Sequence, residues 1–145
     1  MRIKSEYFST YVHFMRNDIF NRDDLIHLVD TFYTKVQLNP RIGPIFTDVA
    51  KIDWSHHLPK MYDFWESILF GTATYKGNPM LTHFALNDKI ALKAEEFNAW
   101  KLIFMETVDE LFVGKNAETI KQKAQSIADL MDFKINAPKS KINIV

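Results

Sequence analysis

Apolar residues recur with a helical period along nearly the whole chain, and only four glycines and five prolines interrupt them. Leu25, Leu28, Val29, Phe32 and Val36 fall at i, i+3, i+4, i+7 and i+11, one stripe of an amphipathic helix. Asn21 or Asp23 can cap its start, and Asn39-Pro40 stops it, because the residue before proline is driven out of the helical region. The link from Arg41 to Asp48 is expected to form a helical turn carrying Phe46. Asp53 or Ser55 can open a second helix, in which Pro59 is tolerable only within the first turn. His57, Met61, Phe64, Trp65 and Ile68 share its inner face, and Gly71 ends it. A loop over 71–79 leads to a very short helix, Met80 to Leu86. A longer one runs from Lys93 to Phe112, striped by Phe97, Trp100, Phe104, Val108 and Leu111. Beyond Gly114, Asn116 is expected to cap a last helix striped by Ile120, Ala124, Ile127 and Met131. No strand-like alternation survives beyond a few residues, so the class is all-α.

A chain of 145 residues makes one domain, able to bury roughly two-thirds of the surface it exposes when unfolded. The pattern divides it into an N-terminal extension over 1–20, a main domain over 21–135 and a flexible tail over 136–145. Tyr7, Tyr11 and Phe14 give the extension a helical spacing. Eighteen basic side chains balance eighteen acidic ones, which argues against a nucleic-acid partner. With no cysteine, disulfides, thiolate catalysis, iron–sulfur clusters and cysteine-based zinc sites are excluded. No segment approaches the roughly 20 apolar residues of a membrane span, so a soluble, cytoplasmic protein is expected. Aromatic residues reach 14%, twelve of them Phe, more than a small helical core requires. That surplus leaves room for a planar guest.

Two histidines stand where such a guest could use them. His83 follows a Gly/Pro turn between Leu81 and Phe84, and His57 opens the face of the second helix. Haem iron takes a neutral imidazole on one side. The other side calls for donors, because an O₂ ligand acquires partial negative charge. Tyr33, His57 and Trp100 can each present one from a different helix. Blander readings stand beside this one. A lone histidine is more often a core or surface residue than a ligand, and Tyr33 and Trp100 are singly ordinary core residues. His13 and His27 read as surface residues. A di-iron bundle would need two Glu-x-x-His pairs. The chain offers only Asp24-x-x-His27 and Asp53-x-x-His56, with both aspartates at helix starts. His56-His57 is poorer still as a zinc pair, since helical neighbours point about 100° apart. A haem-free helical interaction module is the reading from another class.

The order of the motifs resembles the truncated (two-over-two) haemoglobins of group III. The runs are Leu28-Val29-Asp30-Thr31-Phe32-Tyr33-Thr34-Lys35-Val36, then Gly43-Pro44-Ile45-Phe46, then His57-x-x-Lys60-Met61-x-x-Phe64-Trp65. Next come Gly71-x-x-x-Tyr75-x-Gly77-x-Pro79-x-x-x-His83 and Phe97-x-x-Trp100-x-x-x-Phe104-x-Glu106-Thr107-Val108-Asp109. Phe112-x-Gly114-x-x-Ala117 with Ala124-x-x-Ile127-Ala128 completes them. No two glycines are adjacent, as in group III.

The resemblance implies a truncated globin fold around haem b; the stretch to about residue 20 exceeds the family minimum, and its apolar spacing suggests an extra N-terminal helix. His83 is then the iron ligand, and Tyr33, His57 and Trp100 form the polar cluster across the haem. Phe46 packs on the haem face, Met61 lies over the open iron position and Trp65 braces the same helix. Leu81, Phe84 and Phe97 are further cofactor contacts, and Lys60, Tyr75 and Arg41 are propionate candidates by position. The expected partners are O₂, NO and CO, together with an unidentified electron donor. An NO dioxygenase-like or peroxidase-like activity, or gas sensing, is left open. The chain departs from the family after His83, where Phe84 to Ile90 contains no proline and runs a few residues longer.

Overall fold

A computed structural model describes residues 16–138. Helix α1 spans Arg22–Leu38, α2 Trp54–Phe70, α3 Pro79–Lys89, α4 Ala94–Leu111 and α5 Lys115–Asn136. A π-helical turn, Ile45–Val49, lies between α1 and α2. Among the described residues the only β-type pairing is one isolated bridge, Asn17 to Phe112.

The helices form two layers. α1 pairs with α2 and α4 with α5, while α1 also packs on α4 and α2 on α5. The smaller α3 rests against α5. Apolar burial drives this stacking. The α1 stripe of Leu25, Leu28, Val29, Phe32, Tyr33 and Val36 is buried in one core with Phe104 and Val108 of α4 and Ile120 and Ala124 of α5. Buried Thr107 satisfies its hydroxyl within its own helix by donating to the Ile103 carbonyl at 2.7 Å. Ion pairs tie the two helices within each layer. Arg22 reaches Asp63 and Glu66 of α2, each at 2.9 Å, and Lys101 of α4 meets Asp129 of α5 at 2.6 Å.

The helix starts follow local chemistry. The Asn21 side chain accepts from the Asp24 N–H, Asp53 from Ser55 and Asn78 from Leu81. Gly71 ends α2 in the left-handed region at φ 70°.

Four expectations need correction. Asn116 does not cap α5. Asp18 does, accepting from the Asn116 and Ala117 N–H groups at 2.9 and 2.8 Å, while the Asn116 amide donates to the Ile19 carbonyl. Burial by itself would raise the Asp18 carboxyl, but the N–H groups of Asn116, Ala117, Ile19 and Lys115 hold it below its ordinary range. Gly114 makes room for this cap. Its φ is 142°, and a Cβ there would lie 2.5 Å from the Asp18 Cγ. The second correction concerns the extension, since residues 16–20 are not helical and Ile19 is fully buried in the core. The Tyr7, Tyr11 and Phe14 spacing lies outside the described residues. Third, Pro59 is the sixth residue of α2, past the first turn. The bond it cannot donate leaves the carbonyl of Ser55, an exposed residue, to water. Last, α3 runs to Lys89, longer than its apolar spacing suggested.

Candidate functional site

The two layers and α3 enclose a cavity of about 460 Å³, within the range of small-molecule and cofactor sites. Its walls are mostly aliphatic and aromatic. Ile42, Leu86, Leu92, Ile127 and Met131 line it beside the aromatic rings of Tyr33, Phe46, Trp65, Phe97 and Trp100. Lys60, Tyr75 and Lys76 stand among the polar lining residues.

His83 enters from α3. Its Nδ1 lies 2.6 Å from the Pro79 carbonyl one turn earlier. A carbonyl can only accept, so Nδ1 carries the proton and Nε2 keeps its lone pair, the form in which imidazole binds a metal. Pro79 and the Asn78 cap set up that turn. Among the described residues, no group of three or more His, Asp or Glu could hold an ion by itself. The di-iron and His56–His57 zinc readings therefore find no support among them. A lone imidazole in an apolar cavity suits a metal whose other ligands come from a macrocycle.

His57 presents the complementary problem. Its Nε2 is buried and has no hydrogen-bond partner among the described residues. Burial, assisted by the nearby charge of Lys60 and by His83, pulls its pKa down to about 4. The ring is thus neutral near pH 7, with one polar atom awaiting a partner. Buried polar atoms rarely go without one.

Tyr33 stands against His57, ring centroids 5.1 Å apart and edge to face. Burial pushes its phenol above its ordinary pKa, so it remains a protonated donor. Trp100 lies nearly parallel to Phe104 at 5.3 Å and to Trp65 at 6.4 Å, with Phe32 edge-on to it at 5.5 Å. The fold therefore brings Tyr33, His57, Trp100 and His83 to one cavity. An apolar slot with one metal-competent imidazole and an orphaned imidazole nitrogen fits a haem.

Other predicted residues divide. Phe46, Lys60, Met61, Trp65, Tyr75 and Phe97 line the cavity. Leu81 and Phe84 do not; they are 64% and 38% exposed. The reason is helical geometry, because Pro79, Thr82, His83 and Leu86 form the inward face of α3 and turn Leu81 and Phe84 outward. Arg41 is also absent from the lining, and its guanidinium lies 3.7 Å from Glu96. The sequence reading passed over Trp54, which packs against Tyr33, Phe46 and His57. A signal was available, since Trp54 lies three residues before His57 and seven before Met61, on the same helical face.

No helix of the described residues is long and apolar enough to cross a membrane. Residues 17–136 match the family described as bacterial-like globin. A curated relative, the group 3 truncated hemoglobin ctb of Campylobacter jejuni, is 29% identical over 117 residues, covering 79% of this chain and 90% of that protein. The crystal structure of a group III truncated hemoglobin from Campylobacter jejuni superposes with a TM-score of 0.74 at 28% identity, covering 85% of this chain and 97% of that one. The all-α globin fold and the group III likeness expected from the motifs both hold. The chain belongs to the bacterial-like globin family, whose members bind haem and, through it, small gases.

Proposed function

We propose that the protein binds O₂, NO and CO at a haem b held by His83, with Tyr33, His57 and Trp100 donating hydrogen bonds to the ligand. The supporting observation is the pair of imidazoles with opposite needs. His83 has committed Nδ1 to the Pro79 carbonyl, whereas His57 Nε2 is buried without a partner. Bound haem supplies an iron centre that takes diatomic molecules. Everything else falls to the chain. Neutral His57, as its Nε2–H tautomer, and protonated Tyr33 offer N–H and O–H groups. Trp65, Phe46 and Phe97 keep the surroundings apolar, which strengthens those bonds. Lys60 and Tyr75 suit the haem's carboxylates.

Each charge-assisted bond contributes on the order of 1.5–3 kcal/mol. Donors of that strength slow the release of O₂ and favour its chemistry, such as reaction with NO or a peroxidase-like use of the site, over delivery. Turnover of that kind draws on an electron donor in the cytoplasm. Purified protein should show a Soret band that is lost or much altered in His83→Ala. O₂ release should quicken by roughly tenfold or more when a donor is removed in Tyr33→Phe, His57→Leu or Trp100→Phe. If all three leave the rate unchanged, the donors do not hold the ligand. NO consumption by the oxygenated protein, with a reductase supplied, tests the chemistry.

A further inference from the structure

We propose that Trp54 is a positioning residue for the ligand site, a ring set behind Tyr33, Phe46 and His57 that fixes the direction of the Tyr33 and His57 donors. The inference rests on the function proposed above and extends it to a residue outside the cavity wall. Tyr33, Phe46 and His57 all line the cavity; Trp54 does not. It lies 5.4 Å from the Tyr33 ring, 5.8 Å from His57 and 6.2 Å from Phe46, stacked on the last and edge-on to His57. Tyr33 in turn meets His57 at 5.1 Å and Phe46 at 5.9 Å. Four rings from α1, the π-helical turn and α2 thus form one closed cluster, with Trp54 as its outer member.

The geometry matters because of what the donors lack. His57 Nε2 has no hydrogen bond to fix its ring among the described residues. The Tyr33 hydroxyl likewise makes no hydrogen bond among the described residues, and burial raises its phenol above the ordinary range. Ring packing must therefore supply the orientation that polar partners supply elsewhere. Two side chains a few ångströms out of line would lose most of their bond to a ligand, since hydrogen bonds weaken steeply with angle. Trp54 also stands edge to face against the His57 ring, so its removal would leave that ring less tightly packed.

The test uses the haem-loaded protein and its CO complex, read by the infrared C–O stretch, which reports the field of the donors. Trp54→Ala should replace the wild-type band pattern with several bands, one matching that of His57→Leu. It should also speed O₂ release by roughly tenfold, as for loss of one charge-assisted bond. Trp54→Phe should restore band and rate. In Trp54→Ala/His57→Leu the two effects should combine to less than their product. Should Trp54→Ala fail to fold, Trp54→Leu, which keeps apolar volume without the ring, carries the same expectations. Wild-type bands and rates in the Trp54 variants, while Tyr33→Phe and His57→Leu change both, would overturn positioning and leave the donors in place. Effects of Trp54 and His57 that multiply independently would overturn it too. Unchanged bands and rates in Tyr33→Phe and His57→Leu themselves would overturn the donor reading, and positioning with it.

Discussion

Helices α1 and α3 face each other's work across one cavity, yet they are built on different terms. α1 buries six side chains, from Leu25 to Val36, while α3 buries none. The inward face of α3, Pro79, Thr82, His83 and Leu86, lines the cavity, and α5 is the helix it rests against. Its ends are held by local bonds: Asn78 caps the start, and the Leu92 N–H reaches the Asn87 side chain at 2.8 Å. One wall of the site is therefore fixed by protein packing, and the other is completed by the guest it holds.

The largest effect should come from attacking the fixed wall. Phe32 is 1% exposed and touches Tyr33, Trp100 and Phe104. Phe32→Ala should cost about 3–5 kcal/mol in denaturant unfolding, as expected for truncating a fully buried aromatic ring. Next comes the conditional wall. In haem-free protein, amide exchange in α3 should speed up by about a hundredfold relative to the loaded form, while α1 keeps its protection. Equal loss of protection in both helices would erase the contrast.

A smaller effect follows from His57, which belongs to the fixed wall. Its folded pKa, about 4, lies below the ordinary 6.5, so between those values the unfolded chain binds more protons. Its contribution is present above pH 6.5 and is lost as pH falls toward 4. Stability of the haem-free protein should decline over that window, and His57→Leu should flatten the decline. The smallest effect is expected on the outer face of α3. Leu81→Ser should change stability by less than about 0.5 kcal/mol and leave haem uptake intact, as melting curves and haemin titration can check. A marked loss of haem in that variant would return Leu81 to the site.

The same contrast explains what could be read from the chain in advance. α1, α4 and α5 bury stripes against other helices, so periodicity located them, with Asn21 and Asn39 marking the ends of α1. Tyr33 and Trp100 were legible because they lie on or beside those stripes and His57 because it lies on that of α2, while the order of motifs joined His83 of α3 to them. α3 packs its inward face on a cavity, so its apolar spacing understated its length and misassigned Leu81 and Phe84. Position in sequence suggested Asn116 as a cap, but the group that caps α5 comes from Asp18, and no local pattern links residues so far apart. Trp54 was missed for a different reason. It occupies the first turn of α2, where a reader looks for caps and stops counting faces.

The Asp18 cap also bears on how this chain can be cut and how it is made. Asp18 lies 98 and 99 residues before the two N–H groups it accepts from. During synthesis the carboxylate emerges early and must wait for almost the entire domain before α5 presents its first turn. Closure of the molecule is thus coupled to the arrival of its last helix. A shortened chain beginning at Asn17 would keep this clasp together with Ile19. One beginning at Asn21, where the apolar spacing alone would place the border, would lose both, and its α5 would begin without the carboxylate that completes its first turn.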